Sequence, residues 1–455
     1  MTTTPDWVRH VLWWHVYPLG FTGAEKAALG DASPAASEPA VHRLPHLIAW
    51  LDYAVELGLS GIALGPVFES ETHGYDTTDY YRIDPRLGDD ADFDTLIAEA
   101  RARGLRVLLD GVFNHTGRSF APFREALQRG PESPSAKWFN FTWPDGWVQG
   151  TEPGYEDFEG HHQLVALNHS EPAVADFAAD VMKHWLRRGI DGWRLDAAYA
   201  VPSAFWAKVL ADVRSEFPDA YFVGEYIHGD YPAEVEKGGL DSVTQYELWK
   251  AVWSSLADAN FYELASALDR HNTFLETFVP FTFVGNHDVT RIASRLEPAP
   301  GQGPSRLAHA LVVLFTLPGT PAVYYGDEQG YRGVKEDRAG GDDDIRPVFP
   351  ATPDELSDIG RPVYQLHRDL IGLRRRHPWL HDARTKVHEL SNEQLVYEVH
   401  NAANSLFVAL NVSAEAAVVH VPTAAREVLA GDAGLDPQSG RLSLPSGGWA
   451  VLTSS

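Results

Sequence analysis

The sequence predicts an α/β protein: a (β/α)8 barrel of eight parallel strands, a subdomain inserted after the third strand and a C-terminal β-sandwich. Short apolar runs alternate with segments of helical periodicity that end in glycine, which is the pattern of a parallel barrel. This alternation fails in one aromatic stretch rich in glycine and proline, which indicates an insertion. It ends before a final region of short alternating strands, which indicates a β-sandwich.

Eight apolar runs account for the strands of the predicted barrel. They lie at residues 11–17, 61–64, 105–109, around 193, 221–224, 242–245, 278–284 and 322–325. Helices are predicted between them at residues 47–57, 93–103, 170–189, 203–216, 249–256 and 307–317. The polar segment 24–39 is predicted as a loop, and residues 364–376 as a last amphipathic helix. A length of 455 residues suits one large barrel with a small companion domain.

This pattern divides the chain into four predicted segments. Residues 1–115 and 169–380 form the two parts of the barrel, residues 116–168 the inserted subdomain, and residues 381–455 the sandwich. The insertion is rich in aromatic side chains, namely Trp138, Phe139, Phe141, Trp143, Trp147, Tyr155 and Phe158. Such rings either form the core of a small subdomain or line the mouth of a barrel, where they stack on bound ligands. Both uses are expected, for different residues.

The chain is organised around residues 189–196, which read Gly-Ile-Asp-Gly-Trp-Arg-Leu-Asp. The preceding helix is predicted to begin at Ser170, whose hydroxyl caps it, and to end at Gly189. Side chains alternate along a strand, so Arg194 and Asp196 are expected on one side, where the cation keeps the carboxylate ionised and oriented. A plain buried ion pair at a strand end is the simpler interpretation of this octapeptide taken alone.

Composition excludes several classes of function. The chain carries 37 Lys and Arg against 63 Asp and Glu, a formal net charge of −26, which repels nucleic acid and anionic membranes and favours a neutral substrate. There are no cysteines, so disulfides and thiolate metal sites are excluded. Residues 1–14 lack an apolar run with a cleavage site, and the apolar stretch 310–325 is too short to span a membrane, so a cytoplasmic protein is expected. These features do not determine the oligomeric state.

Three carboxylates follow predicted barrel strands: Asp196 after the fourth, Glu225 after the fifth and Asp288 after the seventh. Catalytic residues of eight-stranded barrels come from the carboxyl-terminal ends of the strands, so these acids are expected on one face. Cleavage of a glycosidic bond needs a proton donor for the leaving oxygen and a second carboxylate at the anomeric carbon. Two neighbouring acids split their pKa values, which keeps one protonated while the other is charged. For any single acid, a helix cap is an equal alternative.

Four short motifs occur in order along the chain. They read Asp-Gly-Val-Phe-Asn-His at 110–115, Gly-Trp-Arg-Leu-Asp at 192–196, Val-Gly-Glu at 223–225 and Val-Gly-Asn-His-Asp at 284–288. In order and spacing they resemble the four signature regions of the α-amylase family, glycoside hydrolase family 13. The stretches 73–80 and 319–328 are also similar to that family, so the resemblance covers nearly the whole chain.

The resemblance implies a role for each candidate site residue. Asp196 would be the catalytic nucleophile, Glu225 the general acid/base, and Asp288 a third acid that binds ring hydroxyls and distorts the sugar. Arg194 would orient the nucleophile. The other expected substrate contacts are Tyr75 beneath the sugar, His115 and His287 on its hydroxyls, and, one subsite further on, Asp342 and Arg346. Taken singly, the histidines and the tyrosine are more often structural residues.

One departure from the family pattern concerns calcium. Many α-amylases bind this ion through an aspartate in the region that closes the inserted subdomain. Here that region reads Leu-Val-Ala-Leu-Asn at 164–168, and Ala166 stands where the acid would be. The shared site is therefore incomplete, and we expect no cofactor to be required, although other oxygens could bind calcium elsewhere.

Other departures concern the substrate. Thr72 stands where exo-acting α-glucosidases have an aspartate that grips the chain end, which disfavours strict exo action. Ile227 stands where the cyclomaltodextrinase, neopullulanase and maltogenic amylase group tends to have Trp. Similarity to that same group rests on four residues, His73, Tyr75, Asp76 and Gly285.

The expected activity is retaining hydrolysis of α-1,4-linked glucans, with short or cyclic oligosaccharides preferred over starch. The alternatives are an exo-α-glucosidase and a transferase or isomerase on the same scaffold, such as a glucanotransferase or a trehalose-forming enzyme. In the transferase and isomerase alternatives, a sugar instead of water reacts with the covalent intermediate. A non-catalytic glucan-binding barrel is disfavoured, because all four central residues are intact: Asp196, Glu225, Asp288 and Arg194.

Overall fold

A nearly closed barrel of eight parallel strands forms the centre of the fold. The barrel strands, numbered β1–β8 along the chain, are Trp13–Val16, Gly61–Leu64, Arg106–Gly111, Gly192–Leu195, Tyr221–Gly224, Ser242–Val243, Phe281–Phe283 and Thr320–Tyr324. They lie side by side in the order β6-β5-β4-β3-β2-β1-β8-β7. A parallel bridge between Thr244 and Phe281 brings the two ends of this sheet together. The predicted barrel is confirmed.

The computed structural model describes residues 4–26, 40–144, 146–297, 305–338 and 340–454. The predicted loop at 24–39 therefore lies outside the described residues from position 27 onward. None of the described helices combines the length and the apolar composition that a membrane crossing requires.

Helices surround the barrel and follow most of its strands. The α-helices are Pro18–Phe21, Leu44–Ile48, Leu51–Leu57, Asp90–Ala102, Ala121–Arg129, Pro172–Arg187, Ser203–Glu216, Tyr231–Gly238, Tyr246–Ala257, Tyr262–Phe274, Ile292–Arg295, Leu307–Thr316 and Arg361–Arg376. Short 3-10 helices are Asp6–His10, Pro134–Trp138, Ala198–Ala200, Asp327–Gln329, Asp343–Ile345, Pro353–Glu355, Asp358–Gly360 and Pro378–Asp382.

Some helices differ from the prediction. The helix predicted at 47–57 is split in two, because the fully buried Trp50 occupies the break and its indole N–H donates to a distant backbone carbonyl at 3.1 Å. The sequence does not predict Tyr231–Gly238, which has only 8 residues and is too short to show a helical period. It also does not predict Tyr262–Phe274, where the buried His271 interrupts the apolar positions.

The helix that leads into β4 is Pro172–Arg187. Its cap is the carboxylate of Glu171, which accepts a backbone N–H of the first turn at 3.4 Å. The hydroxyl of Ser170 donates instead to the side chain of Asn168, so the predicted Ser170 cap is wrong. Gly189 has a φ of +105°, the left-handed conformation that ends a helix, as predicted.

Apolar side chains fill the interior of the barrel. They include Val11, Trp13, Leu108, Tyr221, Val223, Phe281, Phe283 and Ala322. The rings of Trp13 and Tyr221 stack in this interior with centroids 6.5 Å apart. Because packed side chains occupy the interior, a ligand is expected at the carboxyl-terminal rim of the strands.

The inserted subdomain contains two small antiparallel sheets and an α-helix. The three-stranded sheet is His115–Thr116, His161–Ala166 and Asp157–Phe158, the two-stranded sheet is Phe141–Thr142 and Gly154–Tyr155, and the helix is Ala121–Arg129. The ring of Phe123 on that helix lies 5.2 Å from the ring of Phe139 and 5.3 Å from that of Tyr155. These aromatic side chains form the core of the subdomain, which is one of their two predicted uses.

Two antiparallel sheets form the C-terminal β-sandwich. The five-stranded sheet has the order Arg384–Leu390, Gln394–His400, Ser405–Asn411, Trp449–Thr453 and Glu427–Gly431, and the three-stranded sheet has the order Ala417–His420, Arg441–Leu444 and Gly434–Asp436. Val396 and Phe407 of the larger sheet and Val419 and Leu442 of the smaller one belong to one buried cluster. The predicted sandwich is confirmed, while the domain limits given above stay predictions.

Candidate active site

Three carboxylates, those of Asp110, Asp196 and Glu225, surround the guanidinium of Arg194. The Nη1 atom of the arginine lies 2.6 Å from Asp110 Oδ2 and 3.1 Å from Asp196 Oδ1, and its Nη2 atom lies 2.7 Å from Glu225 Oε1. The carboxylate residues are only 1%, 7% and 6% exposed, respectively. One guanidinium therefore balances three neighbouring carboxylates. We call these four residues the Arg194 cluster.

The parallel register of three barrel strands produces this cluster. Arg194 in β4 is aligned with Asp110 in β3 and with Val223 in β5. Asp196 and Glu225 follow the last residues of β4 and β5. Because alternate side chains of a strand share a face, the arginine and the following acid reach the same side of the sheet. The structure thus brings together the two residues that the sequence pairs.

The carboxylate of Glu225 is held from several sides. Its Oε2 atom accepts the N–H of Ala197 at 2.9 Å, and its Oε1 atom accepts the hydroxyl of Tyr246 at 3.2 Å. The amide of Asn286 donates to the same tyrosine oxygen at 2.8 Å. Ala197 has a φ of +44°, a strained conformation that is often stored at functional sites. These contacts fix the carboxylate relative to Asp196, as positioned acid–base catalysis requires.

Electrostatics favour retention of a proton in the Arg194 cluster. Burial raises the pKa of Asp196 well above its usual range, and the charge of Glu225 raises it further, whereas Arg194 opposes both effects. Burial also raises the pKa of Asp110, again against the arginine. Ionising all three carboxylates at once is therefore unfavourable, so the cluster keeps a proton to higher pH than isolated acids do. The expectation that Arg194 keeps Asp196 ionised is therefore wrong, because burial outweighs the arginine. Neighbouring buried carboxyl groups that share one proton are suited to acid–base chemistry.

Asp288 belongs to a second, adjoining group of charges. Its Oδ2 atom lies 2.9 Å from His287 Nε2, and its Oδ1 atom lies 3.0 Å from Arg346 Nη2. The same Nη2 atom lies 3.0 Å from Asp342 Oδ2. Burial alone would raise the pKa of Asp288, but His287 and Arg346 outweigh it and hold that pKa well below its usual range. The structure therefore brings Asp342 and Arg346 to the third predicted acid and keeps that acid ionised.

Tyr75 connects the two groups of charges. It lies in the turn of the hairpin formed by Phe68–Ser70 and Thr77–Ile83. Its hydroxyl donates to Asp110 Oδ2 at 3.0 Å and is also hydrogen-bonded to His287 Nε2. The rings of Tyr75 and His287 are nearly parallel, with centroids 5.3 Å apart. The structure thus places Tyr75, from the hairpin turn, and His287, from the fourth motif, next to the Arg194 cluster.

His115 has a free hydrogen-bonding atom. Its Nδ1 atom lies 3.0 Å from the side-chain amide of Asn114, which can only donate. Nε2 therefore carries the ring proton, and it is buried without an acceptor among the described residues. Burial lowers the pKa of His115 to about 3, so the ring is neutral at physiological pH. A neutral, buried donor without a partner suits the hydroxyl of an uncharged ligand.

Sequence reasoning missed several residues of this site. The predicted third strand ends at residue 109, whereas the structure places Asp110 inside β3 in contact with Arg194, so that limit is wrong. The available signal was the position of this acid in the first motif, at a strand end like the other acids. Tyr246 and Asn286, which support Glu225, gave no separate signal, because they act through contacts between different strands.

The residues at the shared calcium position do not fit a calcium ion. Ala166 offers no side-chain oxygen, and its N–H donates to the carbonyl of Glu156. The side-chain oxygen of the nearby Asn168 already accepts from Ser170, and its amide donates to the carbonyl of Lys137. Whether the protein needs a metal ion elsewhere stays a prediction.

Comparisons with known proteins agree with this fold. The sequence profile described as "Alpha amylase, catalytic domain" matches residues 43–408. A cyclomaltodextrinase of Geobacillus thermopakistaniensis (strain MAS1) is 30% identical over 443 residues, covering 93% of this chain and 72% of that protein. An intracellular maltogenic amylase of Bacillus subtilis is 31% identical over 348 residues, covering 73% of this chain and 57% of that protein.

Solved structures give the same result. A cyclic α-maltosyl-(1→6)-maltose hydrolase from Arthrobacter globiformis has a TM-score of 0.78 at 26% identity, with 99% of this chain and 100% of that chain covered. The debranching enzyme of Nostoc punctiforme has a TM-score of 0.80 at 25% identity, with 100% of both chains covered. The chain belongs to the α-amylase family, glycoside hydrolase family 13, and is a glycosidase.

Proposed function

We propose that this glycosidase retains anomeric configuration and cleaves α-1,4-glucosidic bonds in maltooligosaccharides or cyclic glucooligosaccharides. The observation that carries the proposal is the placement of Asp196 and Glu225 on neighbouring strand ends around one guanidinium. A retaining mechanism needs two carboxyl groups near enough for one to attack the sugar directly. The relatives named above as a cyclomaltodextrinase and a maltogenic amylase support the substrate class.

The reaction we propose has two steps. In the first, the proton that the cluster retains is on Glu225 and Asp196 is ionised. Glu225 gives this proton to the oxygen of the leaving sugar while Asp196 attacks the anomeric carbon, so the glycosidic C–O bond breaks and a glycosyl ester forms. In the second, the Glu225 carboxylate takes a proton from water, which attacks the same carbon and releases Asp196. Arg194 stays charged throughout, and it stabilises whichever carboxylate is ionised at each step.

The other site residues are proposed to bind the sugar. The ring of Tyr75 would stack beneath it, and the unpartnered Nε2–H of His115 would donate to one of its hydroxyls. Asp288, kept ionised by His287 and Arg346, would accept from ring hydroxyls. The ion pair of Arg346 with Asp342 would bound the next subsite away from the cleaved bond.

We include a neutral substrate and a cytoplasmic location in this proposal. The net charge of −26 disfavours a polyanionic substrate. One relative is named as an intracellular maltogenic amylase, which supports the location. Inside a cell, oligosaccharides and glucan fragments are more accessible than starch granules.

Product analysis over a panel of substrates tests the proposal. The panel contains maltotriose to maltoheptaose, cyclodextrins, pullulan, soluble starch, trehalose and sucrose, and Asp196→Asn serves as the inactive control. We expect a higher kcat/KM per bond on maltooligosaccharides or cyclodextrins than on soluble starch. Products longer than the substrate would show that sugar replaces water as acceptor. No cleavage of any α-1,4-glucan would contradict the proposed function.

A further inference from the structure

A small cavity lies at the amino-terminal end of the barrel, on the face opposite the Arg194 cluster. It has a volume of about 50 Å³ and is bordered by Val11 and Leu12, which precede β1, and by Gly319, which precedes β8. Apart from one proline, its other walls are six basic residues: Arg9, His10, Arg374, Arg375, His377 and His381. None of the described residues that line it is acidic. We call these six residues the amino-terminal basic cluster.

Arg374 is the most deeply buried arginine of this cluster. It is 6% exposed, and its guanidinium donates to three backbone carbonyls, those of Phe315 at 3.0 Å, Leu317 at 2.7 Å and Gly319 at 2.6 Å. These carbonyls lie at and beyond the carboxyl-terminal end of the helix Leu307–Thr316. A helix end carries only about half of an elementary charge. The carbonyls therefore accept the N–H groups without balancing the full charge of the guanidinium.

The two other buried arginines of the described chain each have a carboxylate partner. Arg86 lies 2.6 Å from Asp84, and Arg291 lies 2.8 Å from Asp327. Arg374 has no ion pair with any described residue, and burial alone acts on its pKa, lowering it to about 9. The group therefore stays charged at neutral pH without a counter-charge from the protein. Because an unpaired buried charge is costly, an anion that enters the cavity gains a strong partner.

The surroundings of His381 are also cationic. This histidine is 6% exposed, and its pKa is lowered to about 3 by burial and then by neighbouring cations, first Arg374 and then Arg9. The adjacent Asp382 pairs with Arg9 at 2.7 Å, but the two side chains are 45% and 50% exposed, respectively. Solvent and salt weaken such an exposed ion pair. This acid therefore compensates little of the buried positive charge.

The cavity suits a small, multiply charged anion. One water-sized group needs about 10–15 Å³, so the volume of about 50 Å³ holds roughly four such groups, which matches a phosphate or sulfate ion. Guanidinium and imidazole N–H groups form charge-assisted hydrogen bonds to the oxygens of such ions. The distant acids behind the net charge of −26 are screened by salt beyond about 8–10 Å, so the nearby cations dominate in the cavity.

We propose that the amino-terminal basic cluster is a binding site for a free tetrahedral oxyanion such as inorganic phosphate. Arg374 and His381 contact the anion from the buried side, and Arg9 and Arg375 contact it from the side of the solvent. The anion supplies the counter-charge that Arg374 lacks, and it stabilises the barrel where β1 and β8 begin. The site lies at the end of the barrel opposite the catalytic residues, so this inference does not depend on the proposed function.

Isothermal titration calorimetry with inorganic phosphate, at constant ionic strength, measures this binding. We expect one phosphate per chain, together with a rise in melting temperature that saturates as phosphate is added, because the anion binds the folded state. Sodium chloride at the same ionic strength should give neither signal. Glucose 6-phosphate should bind about tenfold more weakly or worse, because the cavity has no room for its sugar. Equally tight binding of this ester would overturn the restriction to a free anion.

Two variants remove donors of the cluster while Arg374 keeps its carbonyl contacts. Arg9→Gln and His381→Gln should each weaken phosphate binding by about tenfold or more, the scale of one charge-assisted hydrogen bond. The matched controls are Arg187→Gln, at another half-exposed arginine in an ion pair, and His367→Gln, at another buried histidine. Both controls should bind phosphate as the unaltered protein does.

Two results would overturn the inference. The first is the absence of saturable phosphate binding by the unaltered protein. The second is unchanged binding in Arg9→Gln and in the double variant with His381→Gln, because phosphate would then bind elsewhere. Melting curves of each variant show whether it is folded, and Arg9 lies at the surface, so its variant keeps the test valid.

Discussion

The Arg194 cluster, at the carboxyl-terminal ends of β3–β5, can be compared with another group of buried acids, which follows β8. The group after β8 consists of Asp327 and Glu328 together with Arg291, whose Nη1 atom lies 2.8 Å from Asp327 Oδ1. Glu328 accepts a backbone N–H at 2.9 Å and the hydroxyl of Tyr53 at 3.2 Å. We call these two acids the Asp327–Glu328 pair. Both groups combine carboxylates with a buried arginine, and both are part of motifs that resemble the family.

The two groups differ in space and in charge balance. A Cβ atom on Gly285 would lie 2.2 Å from Asp327 Oδ2, so the backbone packs directly on that acid. Burial raises the pKa of Asp327 to about 6 and that of Glu328 to about 7, without three carboxylates competing for one cation. Position at a strand end therefore does not define an active site. The guanidinium that three carboxylates share does.

The largest expected difference between the groups is in turnover. Glu225→Gln should lower kcat by about a thousandfold or more, because a positioned general acid commonly contributes on that scale. Glu328→Gln is the matched control, with the same chemical change in an enclosed acid, and should leave kcat within about twofold. Steady-state kinetics on maltopentaose checks both, with the melting temperature as the test of folding. Equal losses in the two variants would mean that the comparison is wrong.

The second expected difference is in stability against pH. A folded-state pKa of about 7 lies above the ordinary value of 4.5 for Glu328, so between these values the folded state binds more protons than the unfolded state. Stability from this group is therefore fully present below about pH 4.5 and is lost as pH rises through about 7. The melting temperature of Glu328→Gln minus that of the unaltered protein should therefore be about 2 °C larger at pH 8 than at pH 5.

Differential scanning calorimetry at the two pH values measures this shift. An isosteric amide cannot ionise, so the variant should show a smaller loss of stability between pH 5 and pH 8 than the unaltered protein. An identical pH dependence in both proteins would contradict the assignment of a buried, protonated Glu328.

Much of this comparison could be predicted from sequence, because it depends on local patterns. The strands Gly61–Leu64 and Tyr221–Gly224 and the helix Ser203–Glu216 agree with the predicted limits. Apolar runs ending in glycine or an acid identify strands and their ends without knowledge of distant contacts. The motifs that contain Asp196 and Glu225 therefore lie at adjacent strand ends in the structure, as expected.

What could not be predicted depends on contacts between distant residues. The sharing of Arg194 with Asp110 follows from the register of β4 on β3, across 84 residues of sequence. The hydrogen bond from the hydroxyl of Tyr199 to the carboxylate of Glu159 joins a barrel loop to a turn of the irregular subdomain, and no periodic pattern relates the two segments. Enclosure of the Asp327–Glu328 pair is a matter of packing, which the motif itself does not report.

The smallest expected effect is that of removing metal ions, because an arginine balances the charge of the carboxylates in both groups. Prolonged EDTA treatment should change the melting temperature by less than about 1 °C, and added calcium should not raise it, because a ligand that binds the folded state would do so. Activity on maltopentaose should also be unchanged. A large decrease in melting temperature that calcium restores would show a structural ion at a site other than the one lost with Ala166.

The central claim is that Asp196 forms a covalent glycosyl intermediate while Glu225 acts as acid and then as base. Proton NMR of the first product released from an α-linked maltooligosaccharide tests this directly, because the anomeric proton is recorded before mutarotation equilibrates it. Two displacements at the same carbon restore the starting configuration, so the α-anomer is expected first. Initial release of the β-anomer would mean that water attacks directly, and it would contradict the role assigned to Asp196.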